Sequence, residues 1–179
     1  MESYTHMEEF LWLKDKNYRY VLGQIKKNPL IVIGLNPSTA TPSLPDRTYC
    51  KMLSIANNEN NGFDSIIVFN LYPFITKNPK ELPLDCDRKV WKHNLEIIKD
   101  ITSQMNNLTV LCAWGSGVEK RKYLKESIQE IFSLFPENTD WKRIDDSIFN
   151  HPQHPLYAKE QTKLNRFEIE KYLEDYMSK

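Results

Sequence analysis

The sequence predicts an α/β fold: a three-layer α/β/α sandwich around a mainly parallel central sheet of about four strands. Three observations predict it. Apolar runs rich in β-branched residues at 30–33 (LIVI), 65–70 (SIIVFN) and 108–113 (LTVLCA) read as strands buried on both faces. Segments with apolar residues at helical spacing lie between them, and such alternation argues parallel strands joined by crossover helices. Each run also breaks at its carboxyl end into small or polar residues, the place where open α/β sheets hold their ligands.

Taken in order, residues 1–17 are expected to form a short helix with Phe10, Leu11 and Leu13 as its apolar residues, followed by a charged link at 14–16. Residues 18–25 alternate partly, through Tyr18, Tyr20 and Leu22, and read as an edge strand. Lys26-Lys27-Asn28-Pro29 is a turn, with extended structure favoured before the proline. The strand at 30–33 then opens into Gly34-Leu35-Asn36-Pro37-Ser38-Thr39. After a loop with two prolines, Asp46 offers its oxygen to the first amides of a helix whose apolar side is Met52, Leu53, Ile55 and Ala56. NNENNG at 57–62 ends it. The strand at 65–70 and a Pro-containing loop lead to a long helix starting at Asp85 or Asp87, with Trp91, Leu95, Ile98 and Ile101 on one face. The strand at 108–113 runs into Trp114-Gly115-Ser116-Gly117. Residues 118–135 form a helix with Leu124, Ile128, Ile131, Phe132 and Phe135 on a stripe, stopped by Pro136. Residues 141–144 are a fourth strand. A polar stretch at 145–163 holds His151-Pro152-Gln153-His154-Pro155-Leu156, and a helix at 164–176 buries Phe167, Tyr172, Leu173 and Tyr176.

At 179 residues the chain suits one domain, 1–179, with one core. Lys+Arg and Asp+Glu balance at 24 each, so the chain lacks the strongly basic footprint of many nucleic-acid binders, although a local basic face is enough to hold phosphates. No apolar run approaches the ~20 residues of a membrane span, so no membrane association is expected. The acidic N-terminus argues against export, and three cysteines without CxxC spacing argue for reduced thiols in the cytoplasm, with no zinc site and no iron–sulfur cluster. With five glycines and no Walker, GxGxxG, GxSxG or HExxH motif, a Gly-rich phosphate cradle or a motif hydrolase is not indicated.

In a parallel sheet, Asn36, Asn70 and Trp114-Gly115-Ser116 fall on one edge, and the loop after the last strand returns His151–Leu156 to it. Amides can read the polar edge of a heterocycle, and a histidine can donate to a developing oxyanion. Taken singly, each residue has a plainer role: the asparagines as turn residues, His154 as a surface histidine, Tyr49 as core, and Cys50 and Cys112 as buried small hydrophobes.

The pattern GLNPSTA (34–40), DRT (46–48), VFNLYPF (68–74), CAWG (112–115) and HPLY (154–157) resembles a family of small bacterial and mobile-element proteins known only as a domain of unknown function, DUF1643. The likeness runs from about residue 18 to 157. That family in turn resembles the uracil-DNA glycosylase superfamily, which implies that superfamily's fold and repair chemistry. On this resemblance Asn36 positions the water, with Pro37 and Ser38 beside it. Tyr49, thirteen residues on from Asn36, stacks on a base flipped out of the helix, and Asn70 reads its edge. The last motif is a His-Pro loop, which both His151-Pro152 and His154-Pro155-Leu156 resemble, so the register stays open. His154 would then donate to the base, Leu156 would fill the gap in the duplex, and Ser116 would face the DNA.

Two departures carry consequences. Ser38 stands where the most efficient branch has a bulky aromatic, which implies tolerance of 5-substituted uracils. Asn36 can only orient water, which implies a slower enzyme than one using Asp. The expected activity is hydrolysis of the N-glycosidic bond of uracil, or a related modified pyrimidine, in DNA, by a monomer with no cofactor and no metal. A protein inhibitor or partner is a further expected ligand class. The alternatives are a catalytically weak nucleic-acid- or protein-binding module on the same scaffold, and a nucleoside or nucleotide hydrolase.

Overall fold

A computed structural model describes residues 9–144, 150–159 and 161–177. The start of the expected N-terminal helix, 1–8, and the segment 145–149 of the polar stretch lie outside the described residues.

The three apolar runs become the centre of the sheet. Strands β1 (Glu9–Lys14), β2 (Arg19–Ile25), β3 (Pro29–Gly34), β4 (Ser65–Asn70), β5 (Thr109–Cys112), β6 (Asp140–Arg143) and β7 (Asn165–Arg166) form one sheet in the order β1-β2-β4-β3-β5-β6-β7. The parallel part is the expected four strands, β4-β3-β5-β6. Antiparallel additions widen it to seven, so the expectation of about four strands is corrected.

The additions have local causes. Residues 9–14 are a strand, not part of a helix. The Asp15 side chain accepts the amides of Asn17 and Tyr18 at 3.1 and 3.0 Å, closing a turn that folds the apolar run EFLWLK back onto β2. Four consecutive apolar residues fit a strand as well as one helical turn. β1 takes the edge, which moves β2 inward against β4. At the other end, residues 165–166 pair with β6 before the last helix begins.

Helices α1 (Arg47–Asn57), α2 (Arg88–Thr102), α3 (Lys122–Ser133) and α4 (Ile169–Met177) cover the two faces. Alternate strand residues point to opposite faces. Ile31, Ile33, Ile67, Phe69, Val110 and Cys112 pack with α2, α3 and α4 in one cluster. Leu30, Val32, Ile66, Val68, Leu111 and Ala113 pack with Met52, Ile55 and Ala56 of α1 in the other. The chain leaves β3 for β4 on one side and then crosses back to β5 and β6. The strand order therefore reverses between β3 and β5, and such a reversal opens a crevice at the carboxyl ends. Among the described residues, no helix is long and apolar enough to cross a membrane.

Candidate functional site

β3 and β4 run parallel in register, with Gly34 opposite Asn70, so their carboxyl ends finish side by side. The pairing continues past both strands. Leu71 and Tyr72 donate their amides to the carbonyls of Gly34 and Leu35 at 2.9 and 3.2 Å, and Thr76 donates to Pro37 at 2.9 Å. Asn36 sits inside this zipper. Its Nδ2 donates to the carbonyls of Thr76 (2.8 Å), Pro37 (3.0 Å) and Phe74 (3.4 Å). An amide whose donors are spent inward has its Oδ1 left as an acceptor.

Asn70 is 3 % exposed, and its Nδ2 has no partner. Its Oδ1 lies over Gly34, where a Cβ would come within 2.9 Å, so any larger residue there must push the Asn70 amide aside. Behind it stands Asn94, fully buried on α2, whose Nδ2 donates to the Asn70 carbonyl at 3.0 Å while its own Oδ1 stays unpaired. Asn94 was discoverable: it falls on the apolar stripe Trp91, Leu95, Ile98 of its helix, an unusual place for an amide.

The loop after β3 is fastened from two sides. The Ser38 hydroxyl donates to the Asp46 carboxylate, which also caps α1 by accepting the Tyr49 amide at 2.8 Å. From below, Arg19 of β2 donates to the carbonyls of Ala40 and Ser38 at 2.8 and 3.4 Å. Burial pulls the Arg19 guanidinium down to about 10, against the opposing pull of Asp46. The Tyr49 phenol is raised by burial, with Arg19 acting the other way. Sequence reasoning found Asp46 only as a cap and missed Arg19, whose acceptors are main-chain oxygens that leave no sequence signal.

The third strand end brings in the histidine loop. Gly115, with φ of +64°, turns the chain after β5, and its amide donates to the Pro152 carbonyl at 2.9 Å. A Cβ on Gly115 would meet the His154 Cβ at 3.4 Å, so the loop rests on this turn. The His154 Nδ1 accepts the Leu156 amide at 3.4 Å, opening a short 3-10 turn over Pro155–Tyr157. Burial pushes the His154 pKa below its ordinary value, and Asp46 opposes that. The same turn packs against α1. Leu156 and Tyr157 project from it, 48 % and 77 % exposed.

His151 goes elsewhere. It is 6 % exposed, with Nδ1 2.8 Å from the Tyr172 hydroxyl and Nε2 2.8 Å from Glu119. Pro37 is buried in the loop after β3, Ser116 is exposed on the turn after β5, and Tyr49 is half-buried on α1. Cys50 is exposed, contrary to the expectation of a buried small hydrophobe, because the N-terminal turn of α1 leaves it on the outer side; Cys112 is buried. Among the described residues no group of three or more His, Cys, Asp or Glu side chains is placed to hold a metal ion. A depression lined by Thr102, Met105, Leu108, Leu134, Phe135 and Pro136 opens at the opposite edge of the sheet, where no titratable side chain lines it.

No curated protein and no solved structure matches the chain. A protein-family model matches residues 19–156, a span that takes in Arg19, Asn36, Asn70 and His154 together, and the chain therefore belongs to the family described as a protein of unknown function, DUF1643.

Proposed function

We propose that the chain is a DNA glycosylase-like hydrolase that releases uracil, or a related modified pyrimidine, from DNA, on a uracil-DNA glycosylase-like scaffold. The observation that carries this reading is the convergence of Asn36, Asn70 and the His154 loop at three strand ends beside the strand-order reversal. The resemblance of the motifs gives each residue its role.

A base must leave the stack before its glycosidic bond is reached. In the proposed site Tyr49 stacks on it and the Asn70 amide pairs with its edge. The C1′–N1 bond breaks with its electrons going to the base, so negative charge grows on O2. His154 is suited to meet that charge: with Nδ1 accepting from Leu156, the neutral ring carries its proton on Nε2 and donates from there. Burial favours the neutral form. The Asn36 Oδ1 orients a water that bonds to C1′, and the proton released from that water ends on the departing base. Asn36 takes no proton itself, so general-base assistance is lacking and the rate is modest.

The exposed Leu156 and Tyr157 favour a polymer over a free nucleoside, since a small ligand makes no use of an apolar tip outside its pocket. Uracil-containing single-stranded and duplex oligonucleotides, treated with alkali after incubation, test the reading. Strand cleavage at the uracil is expected. Salt-dependent binding without cleavage would make the chain a binding module, and turnover of free nucleosides would make it a nucleosidase.

A further inference from the structure

We infer that Arg19 is a positioning residue of the Asn36 site, locking together the two loops that hold the Asn36 amide. The inference rests on the reading of Asn36 as the group that orients the attacking water. One loop follows β3 and the other follows β4, and they meet at Asn36, whose Nδ2 donates to Pro37 of the first and to Phe74 and Thr76 of the second. Arg19 reaches both. Its guanidinium donates to Ser38 and Ala40 in the first loop, and its main-chain amide donates to Pro73 in the second at 2.8 Å. Its neighbours strengthen the second hold: Tyr18 bridges to Phe74, and Ile75 donates to the Asn17 carbonyl at 2.9 Å.

A cation that merely begins a strand has no reason to be buried. Arg19 is 4 % exposed and its Nε has no partner, a costly arrangement for a charged group. Both bonds leave Nη1, whose two hydrogens are fixed in the guanidinium plane, a direction that a freely rotating lysine ammonium holds less well. The antiparallel strand β2 gives Tyr20 and Val21 to the core and, at its first residue, carries Arg19 under the site.

Full-length Arg19→Met and Arg19→Lys test this by three readouts. These are thermal midpoint, amide exchange at Thr76 (bonded to Pro37) against Ile67 inside β4, and excision kinetics. In Arg19→Met, Thr76 exchange is expected to rise at least ~tenfold relative to Ile67. The kcat should fall by about tenfold or more with KM nearly unchanged, as a misplaced water-orienting group requires. Arg19→Lys should restore part of both. Unchanged Thr76 exchange, or equal acceleration at Thr76 and Ile67, overturns the inference, as does a loosened Thr76 with kcat intact. If wild type excises nothing while Thr76 loosens in Arg19→Met, the locking of the loops is supported and the excision reading is what falls.

Discussion

His151 and His154 stand three residues apart, each followed by proline, and the fold gives them opposite surroundings. His151 has both ring nitrogens engaged, one by the Tyr172 hydroxyl and one by Glu119, and meets Tyr172 and Tyr176 edge to face. It clips α4 to the turn after β5. His154 spends one nitrogen on its own 3-10 turn, and its Nε2 has no hydrogen-bond partner among the described residues. His151 is buried and His154 partly so; one ring is used up inside the protein and the other keeps a donor in reserve. The number of spent nitrogens, together with partial exposure, separates the histidine able to serve a substrate from the structural one.

The largest expected effect tests that separation directly. His154→Ala should lower uracil excision by about 10²- to 10³-fold, the usual cost of an oxyanion donor, with little change in thermal midpoint. A loss smaller than threefold in single-turnover assays would remove His154 from the chemistry.

His151→Phe should do the reverse. It takes away the Tyr172 hydroxyl's closer partner, leaving only the Trp114 Nε1–H that the hydroxyl accepts at 3.3 Å, and releases the largely exposed Glu119. A cost of about 1–3 kcal/mol in urea unfolding is expected, mostly from the hydroxyl, with excision by the folded fraction unchanged. Intact stability with lost activity would mean that the roles of the two histidines are exchanged.

The same contrast applies to the asparagines. The Asn36 donors are spent on the loops, whereas the Asn70 Nδ2 is buried and unpaired. Asn70→Ala removes an unsatisfied donor, so folding should lose little. Discrimination among bases should fall several-fold, within the ~1–3 kcal/mol of an unpaired buried edge. Measuring excision rates on uracil and 5-substituted uracils decides it: wild-type preference in the variant makes Asn70 a structural turn residue. Ser38 enters the same assay with a constraint, because its hydroxyl is committed to Asp46 and a larger side chain there must first break that bond.

These distinctions explain what could be read in advance. The strands at β3, β4 and β5 were legible because burial on both faces forces continuous β-branched runs. Asn36 and Asn70 were legible because they end those runs, and parallel pairing places strand ends together. β1 was not, because EFLWLK satisfies either period and a turn made by Asp15 decided it. The doubled His-Pro was ambiguous because identical dipeptides differ only in partners from distant elements: Tyr172 and Glu119 for one, Gly115 and α1 for the other. Arg19 was hidden because it binds main-chain oxygens, which every residue has.

The smallest expected effect concerns Asp46 and is visible only in a pH profile. Burial lowers the His154 pKa, and the Asp46 carboxylate raises it. Donation from Nε2 with Nδ1 accepting from Leu156 requires the neutral ring, since a protonated Nδ1 would face the Leu156 N–H donor to donor. Activity should therefore be full above the ordinary histidine value of about 6.5 and be lost on the acid side, as pH falls through the lowered pKa. Stability has the same sign: below about 6.5 the unfolded chain takes a proton that folded His154 resists, so His154 favours the folded state above that range and costs stability as pH drops. Asp46→Asn keeps a side-chain oxygen for the Tyr49 amide and hence the cap, but removes the charge. Only the burial effect then acts on His154, so the acid limb of kcat/KM should move to lower pH while rates near pH 8 stay close to wild type. A limb that moves to higher pH would place the charge sensed by His154 somewhere other than Asp46. A limb that does not move would assign the acid loss to another group.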